Sequence, residues 1–268
     1  MGLLRSGTFI FYLLFVSIAI TVVFSACRSQ SRSEGKNLNE WLIAYEKADD
    51  GTLAEKQAEA AVRAMGTNAL DQLIAWVASG DFELQIRAEH GFQILGPVAA
   101  PAVPTLGKFL KSTNGVEATI AAECLGYVGE PSLPILLLAL ANPDFHVGTA
   151  ATYGIVELRT NARPAIPILL WQLENRNHFY RERAADTLGV LHIEPDVVVP
   201  ALSRLLKDDS KAARYLAVSG LENFGSQARA AVPAITVLLT DPDTGVRYAA
   251  TNALRTIAPE VLTNAVSH

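Results

Sequence analysis

The stretch "AVPAITVLLTDPDTGVRYAATNALRTIA", residues 231–258, decides the fold. It contains a proline, an apolar run, a short polar segment and then a second run in which Ala250, Leu254 and Ile257 stand at positions 0, 4 and 7. Those spacings place three side chains on one face of a helix. The stretch therefore predicts two helices joined by a tight turn, the second with a buried face.

The same unit recurs along the chain, and such periodicity is the signature of a repeat architecture. The alanine returns every 30 or 33 residues, and the positions four and seven residues after it are apolar each time. The seven alanines are Ala58, Ala88, Ala121, Ala151, Ala184, Ala217 and Ala250. We therefore predict an all-α fold, a right-handed α-solenoid of about seven helix pairs that spans residues 38–268.

A column of small residues lies three positions after each alanine, where a neighbouring helix is expected to approach closely. Its members are Ala61, Gly91, Cys124, Gly154, Thr187, Gly220 and Ala253. A buried thiol in such a column acts as a small apolar side chain. We therefore expect a structural role for Cys124 and no redox role.

Prolines and turn-forming residues mark where helices begin. Each of the repeated prolines is expected to open the first helix of a pair, where its missing N–H costs nothing. These prolines are Pro104, Pro134, Pro167, Pro200 and Pro233. Nine and seven residues before each alanine, from the second unit onward, only Ser, Asn or Asp occurs, which indicates caps and turns between the paired helices.

Residues 231–258 and the stretch "VVPALSRLLKDDSKAARYLAVSGLENFG", residues 198–225, resemble HEAT repeats, and more narrowly the HEAT-like repeats of the phycobilisome lyase type. The resemblance implies a hydrogen-bonded ladder between repeats, made by a turn Asp and an Arg six residues later. Two such pairs are present, Asp208 with Arg214 and Asp241 with Arg247. Asn175 with Arg181 matches less well. The fourth repeat has Asn142 and Gly148 at these positions, so the ladder is expected to be interrupted there.

The amino terminus has the layout of a secretion signal, an apolar run over residues 7–24 after Arg5. The tetrapeptide "FSAC", residues 24–27, resembles the bacterial lipoprotein signal box. That resemblance implies a signal peptide over residues 1–26, a lipid on Cys27 and a flexible tether over residues 27–37. The expected location is the bacterial cell envelope, at the outer membrane facing the periplasm in a cell with two membranes.

Two other interpretations of this segment stay open. An uncleaved transmembrane anchor is one, because 18 apolar residues approach the length that spans a bilayer. The second is myristoylation, since Gly2 and Ser6 fit that short pattern. The apolar run behind Gly2 favours export.

Composition and the scatter of reactive side chains weigh against several functions. The net charge of −5 does not favour nucleic acid as a partner. The five histidines form no ligand pair at short helical spacing, so we expect no metal, no cofactor and no catalytic site. The resemblance to bilin lyases keeps one alternative open, a HEAT-type enzyme with lyase-like chemistry.

The second helices of HEAT pairs line the concave side, and their positions two before, two after and five after the alanine point away from the core. These positions are acidic, with interleaved tyrosines, which combine contact area with a hydrogen-bonding tip. We predict that a protein or peptide partner binds there. The candidate residues are Glu123, Tyr153, Glu182, Asp186, Tyr215, Glu222, Tyr248, Asn252 and Arg255.

Overall fold

A computed structural model describes residues 35–261, and within this range the α-helices form seven consecutive pairs. We call the pairs repeats 1 to 7. Their helices are α1 Leu38–Glu46 and α2 Leu53–Met65; α3 Leu70–Val77 and α4 Phe82–Leu95; α5 Val103–Phe109 and α6 Gly115–Val128; α7 Leu133–Leu140 and α8 Phe145–Glu157; α9 Ile166–Gln172 and α10 His178–Leu191; α11 Pro195–Leu205 and α12 Lys211–Asn223; α13 Val232–Val237 and α14 Thr244–Ile257. The predicted all-α solenoid of about seven helix pairs is confirmed.

Short 3-10 helices join most pairs, and β-strands are absent from residues 35–261. These connecting segments are Gly66–Ala69, Gly96–Ala102, Glu130–Ser132, Arg159–Ala165 and Gly225–Ala231. Four of them begin at, or directly after, a glycine with positive φ, such as Gly129 at 83°. Glycine adopts this backbone region without steric cost, so each helix ends sharply before the next pair starts.

The core follows the sequence columns. All seven column alanines are 0% exposed, and so are the seven apolar residues four positions later, from Val62 to Leu254. The residues seven positions later are buried from Leu95 onward, and Met65 in the first repeat is partly exposed. The second helix of every repeat therefore buries the face that the periodicity predicted.

Second helices of neighbouring repeats pack directly against one another, while direct contacts between first helices are sparse. The even-numbered helices therefore form one row, and we call its exposed surface the concave face, following the expectation from the HEAT resemblance. Small residues allow this approach: a Cβ on Gly154 would lie 2.4 Å from the carbonyl oxygen of Ala122, and one on Gly189 would lie 2.5 Å from the Cα of Gly220. The prediction of a close helix contact at the small column is confirmed.

The turns inside the repeats use one capping scheme from repeat 2 to repeat 7. The residue seven before each alanine is the N-cap of the second helix, and the residue nine before it accepts a hydrogen bond from the N–H of that cap. At repeat 7, for example, Asp243 accepts from Gly245 N at 2.9 Å, and Asp241 accepts from Asp243 N at 2.9 Å. This satisfies amides that the helix itself leaves unpaired.

Four of the five repeated prolines lie in the first turn of their helix, as predicted. The prediction is wrong for Pro200, which lies inside α11 because that helix already begins at Pro195. Pro195 fixes a helical φ five residues earlier, so an α-helix replaces the 3-10 segment that precedes the other first helices. His192 and Glu194, both at positive φ, make the bend before it.

The amino-terminal predictions lie outside the described residues. This applies to the signal peptide, to Cys27 and to the tether up to residue 34. The solenoid begins with a capping box, in which the Asn37 side chain accepts from Glu40 N at 3.0 Å. Within residues 35–261, none of the helices has the length and apolar character needed to span a bilayer.

Candidate functional site

Repeats 5 to 7 are joined by a ladder of arginines. Arg181 donates to the Asp208 carboxylate at 2.6 and 2.7 Å, and Arg214 donates to the Asp241 carboxylate at 2.8 and 3.0 Å. Each arginine also donates to main-chain oxygens of its own turn, Arg214 to Asp208 O at 2.8 Å. The ion pairs of the ladder therefore join each arginine to the aspartate of the next repeat. Within one repeat, the arginine donates instead to the main-chain oxygen of the aspartate six residues before it.

The ladder lies largely out of solvent, and this shows in the acidity of its aspartates. The hydrogen bond from Arg214 lowers the pKa of Asp241 below its ordinary value against the opposing effect of burial. At Asp208, partial burial raises the pKa, and the hydrogen bonds from Arg181 and Ser210 N outweigh it, so the pKa is lowered. The last ladder arginine, Arg247, donates to Asp241 O at 2.6 Å and ends the series.

Repeat 4 lacks the ladder arginine, and a different arginine fills that position. Gly148 stands where the ladder arginine would be, and a Cβ there would lie 2.8 Å from an Nη atom of Arg183. Arg183 comes from α10 of the next repeat and is only 8% exposed. It donates to Phe145 O at 3.1 Å and to Gln172 Oε1 at 3.2 Å.

Aromatic rings complete the surroundings of Arg183. Its guanidinium carbon lies 4.9 Å from the ring centroids of both Phe145 and Tyr180, a distance at which a cation is attracted by an aromatic face. Burial lowers the pKa of Arg183 from its ordinary value. Among residues 35–261 it forms no ion pair, so this cation is held by neutral groups.

The groove widens beside Arg183. The second helices α8 and α10 contact each other far less than α6 contacts α8 or α10 contacts α12. Between α8 and α10 lies a cavity of about 410 Å³ that opens to the concave face. We call it the repeat 4–5 cavity. It is lined by Glu123, Phe145, Thr149, Thr152, Tyr153, Val156, Glu157, Phe179, Glu182, Arg183, Asp186, Thr187, Val190 and Leu216.

Four carboxylates line this cavity, against one guanidinium. Within the described part of the chain, Glu123, Glu157 and Asp186 have neither a hydrogen-bond donor nor an ion-pair partner. Glu182 differs, because its carboxylate accepts from Ser210 Oγ at 2.5 Å and lies 4.0 Å from His178 Nε2. The wall of the cavity therefore carries negative charge that the surrounding helices do not neutralise.

This environment changes how the carboxyls titrate. Loss of hydration, together with repulsion from Glu89 and Glu157, raises the pKa of Glu123 to about 7. Partial loss of hydration also raises the pKa of Asp186. Tyr127 donates to Glu89 at 3.2 Å on the same side of the groove, and burial raises its pKa as well.

Apolar side chains form the rest of the wall. Phe179 is 53% exposed, Tyr153 is 46% exposed and Val190 is 45% exposed, although each adjoins the cavity. The Phe145 and Phe179 rings lie 5.9 Å apart and cover one end. The cavity thus combines an apolar wall with unpaired carboxylates, which suits a group with an apolar body and a charged tip.

The structure places the nine candidate residues in two groups. Glu123, Tyr153, Glu182 and Asp186 line the repeat 4–5 cavity. The other five lie on α12 and α14, outside it, where Tyr215 and Tyr248 are exposed. Glu222 accepts from Thr256 Oγ1 at 3.1 Å, and Arg255 donates to Asn252 at 3.3 Å. The carboxylate on α12 therefore has a partner within the chain, and those in the cavity mostly do not.

Sequence reasoning identified four of the fourteen cavity residues, and those that it missed include Phe145, Glu157, Phe179 and Arg183. Glu157 is six residues after Ala151, outside the positions taken as outward-facing. The two phenylalanines lie in the first turns of α8 and α10, and paired first-turn aromatics in adjacent repeats were an available signal. Nothing in the periodicity indicates that Arg183 crosses to Gly148, because that contact depends on the spacing of two repeats.

Other reactive groups do not add to a site. Among the described residues, no cluster of three or more His, Cys, Asp or Glu has the geometry to hold a metal ion. Cys124 is 0% exposed, and burial raises the pKa of its thiol. His90 packs edge-on against Tyr45, with ring centroids 5.5 Å apart.

Residues 198–266 match the family model of HEAT repeats. The chain is similar to the complex of CpcE and CpcF of phycocyanin lyase from Nostoc sp. PCC7120, at 24% identity and a TM-score of 0.48 over 57% of this chain and 98% of that one. It is similar to a designed armadillo repeat protein in complex with the peptide (KR)4, at 16% identity and a TM-score of 0.49 over 82% and 99% of the two chains. It is also similar to an engineered protein, at 20% identity and a TM-score of 0.47 over 84% and 97%. No curated protein matches this chain.

The family match covers repeats 6 and 7. The alanine columns and the shared capping scheme extend the same HEAT-like unit toward the amino terminus.

Proposed function

We propose that this protein is a non-catalytic scaffold that binds a polypeptide partner on its concave face, with the repeat 4–5 cavity at the centre of the binding surface. The observation that carries the proposal is the cavity itself: exposed aromatic side chains beside carboxylates that have no partner in the described chain. Binding surfaces are rich in aromatic anchors, and energy concentrates in a few of them.

The competing surface is the convex one. Trp171 on α9 is 67% exposed, and Leu138 occupies the equivalent position of α7, at 73% exposed. An exposed tryptophan is also a good anchor. The two surfaces belong to different helix rows, so a local probe separates them.

Site-specific photo-crosslinking tests which surface binds. A photoreactive amino acid replaces Tyr153 in one variant and Trp171 in a matched control, both made in the full chain in its native cell. We expect the Tyr153 variant to yield a defined polypeptide adduct and the Trp171 variant to yield none. An adduct from position 171 alone contradicts the proposal, because the partner would then lie on the convex face.

We further propose that a lipid on Cys27 tethers the solenoid to the bacterial cell envelope, at the outer membrane in a two-membrane cell. The support is the "FSAC" box after the apolar run. Cys27→Ser should leave the protein unprocessed or mislocalised. If Cys27→Ser is cleaved and fractionates with the membrane as the wild type does, the lipoprotein assignment is wrong.

A further inference from the structure

We propose that the repeat 4–5 cavity receives a lysine or arginine side chain of the partner, so that the partner is recognised as a basic polypeptide segment. This inference rests on the proposed function and specifies its chemistry.

The first step concerns charge. Glu157 on α8 and Asp186 on α10 face the same cavity from opposite sides, and Glu123 on α6 adds a third carboxylate. Repulsion from Glu89 and Glu157 raises the pKa of Glu123, so both carboxylates are close enough to disfavour its ionised form. A cation placed among them would relieve this repulsion, which is the complementarity that specific partners provide.

The second step concerns the one cation already present. Arg183 does not neutralise the carboxylates, because its guanidinium is turned to Phe145 O, Thr149 Oγ1 and Gln172 Oε1, at 3.1, 3.3 and 3.2 Å. Turning toward Asp186 would break these hydrogen bonds and the contacts of the guanidinium with the Phe145 and Tyr180 rings. The carboxylates therefore remain available to a cation from outside.

The third step distinguishes a polypeptide from a simple amine. The Nε–H of Arg183 is buried and has no acceptor among residues 35–261. A polypeptide brings carbonyl oxygens together with its cationic side chain, whereas an alkylamine brings no acceptor. The N–H is covered by its neighbours, so this contact requires a small shift of the Arg183 side chain.

The fourth step concerns the stem of the side chain. Lysine and arginine lay their methylene groups along apolar surface and keep the charged head among polar groups. Phe179, Tyr153 and Val190 supply such a surface at the mouth of the cavity, and the tyrosine ring offers a face to the cation. A volume of about 410 Å³ accommodates one such side chain with part of its main chain.

The test uses the purified full chain in detergent and a labelled nine-residue peptide in which lysine alternates with serine. The matched peptide has every lysine Nζ-acetylated, which keeps the stem and removes the charge. At low ionic strength we expect saturable binding of the lysine peptide below about 1 mM, and binding of the acetylated peptide weaker by about tenfold or more, by fluorescence anisotropy.

Two variants of equal net charge separate the cavity from general attraction. The double variant Glu157→Gln with Asp186→Asn should lower the affinity for the lysine peptide about tenfold or more. Glu130→Gln with Glu174→Gln, at exposed positions outside the cavity, should change affinity less than about twofold. Circular dichroism checks that both variants keep their helix content. The proposal is overturned if the two variants bind alike, if acetylation has no effect, or if the lysine peptide does not bind.

Failure here is distinguishable from failure of the proposed function. A polypeptide adduct from position 153, together with equal binding of the two peptides, leaves the concave face as the binding surface and rejects the cation. Adducts from position 171 alone reject both proposals. Binding of spermidine, without binding of the lysine peptide, rejects the polypeptide and identifies a small polyamine as the occupant.

Discussion

Repeats 5 to 7 and the junction of repeats 4 and 5 use buried arginine in opposite ways. In the ladder, Arg181 and Arg214 each bind the aspartate of the next repeat, and the neighbouring groove carboxylates Glu182 and Glu222 accept hydrogen bonds from Ser210 and Thr256. At the junction, Arg183 binds neutral groups, and three of the four carboxylates that line the cavity have no partner in the described chain.

The difference shows how a repeat protein can make one position unlike the others. Where the unit is regular, close Gly189–Gly220 packing and the ladder satisfy the chain internally. At the junction, an arginine from the following repeat lies against Gly148, the second helices contact each other little, and a charged cavity lies between them. The Arg–Asp pairs of the ladder lie in the regular region, and the unpaired carboxylates lie at the irregular junction.

The largest expected effect is on the ladder. Arg214→Met leaves the Asp241 carboxylate buried and unpaired, so we expect a loss of about 3 to 5 kcal/mol in the free energy of unfolding. Arg183→Met removes a desolvated cation that has no carboxylate partner, and we expect a loss below about 2 kcal/mol. Urea unfolding of both variants measures this contrast. Equal losses would mean that the two arginines have the same role and that the comparison is wrong.

The next effect concerns helix packing in the regular region. A Cβ on Gly220 would lie 3.0 Å from a methyl group of Leu202 and 3.2 Å from the Cα of Gly189. Gly220→Leu should therefore overpack this contact and cost about 1 to 3 kcal/mol, with losses in adjacent repeats that depend on it. Gly115→Leu is the control, because a Cβ there meets no atom within 4 Å. A thermal melt of Gly220→Leu that matches the control would contradict the contact.

A smaller effect is expected from Glu123 and depends on pH. Its pKa is about 7 in the folded protein and 4.5 ordinarily, so the folded state holds the proton more tightly. Stability should fall as pH rises from 4.5 to 7, because the unfolded chain releases that proton first. Solvent still reaches the groove, so we expect Glu123→Gln to exceed the wild type by only about 1 to 2 kcal/mol at pH 8 and to match it near pH 4.5.

The pH dependence is checked by chemical unfolding at both pH values. Glu130→Gln serves as control, and we expect its difference from the wild type to stay within about 0.5 kcal/mol at both. A Glu123→Gln variant that is no more stable than the wild type at pH 8 would show that burial and the nearby carboxylates do not destabilise the ionised form of Glu123.

Much of the fold could be predicted from the sequence because the same buried helix face and the same turn caps recur in each repeat. Ala184 and Leu188 lie in columns whose members are all 0% exposed, and one helix period predicts this. The caps follow from short-range hydrogen bonding, as at Asp243. The prediction that Pro200 opens a helix was wrong because another proline, Pro195, begins that helix five residues earlier. This difference occurs in one repeat, so the periodicity does not indicate it.

The candidate site could be predicted only in part. Tyr153 and Asp186 follow from helix geometry, because the face opposite a buried column is exposed. Arg183 does not, since its position depends on the space left by Gly148 in another repeat. The cavity exists because α8 and α10 separate, and no property of either helix alone determines that distance. Tertiary contacts between repeats therefore decide the chemistry of the groove.

The smallest expected effects concern binding by individual anchors. Each of the variants Tyr153→Ala, Tyr215→Ala and Tyr248→Ala should weaken binding of the partner captured from position 153 by about 1 kcal/mol or more and leave folding nearly unchanged. Charge reversal at Glu182 and Asp186 should slow association and change its salt dependence, and at Asp186 it should also weaken the complex, because that carboxylate lines the cavity. Trp171→Ala is the control, and surface plasmon resonance measures the rates. Full affinity in all three tyrosine variants, with a loss in Trp171→Ala, would move the binding surface to the convex face.

Carboxyl footprinting of the full chain, with and without the partner captured from position 153, tests the central claim most directly. Carbodiimide-driven labelling followed by mass spectrometry reports the accessibility of each carboxylate. We expect labelling of Glu157 and Asp186 to fall on binding while labelling of Glu130 stays constant, because a cationic side chain of the partner should cover the two cavity carboxylates. Unchanged labelling of Glu157 and Asp186 in the saturated complex would contradict the claim that this cavity is where the partner binds.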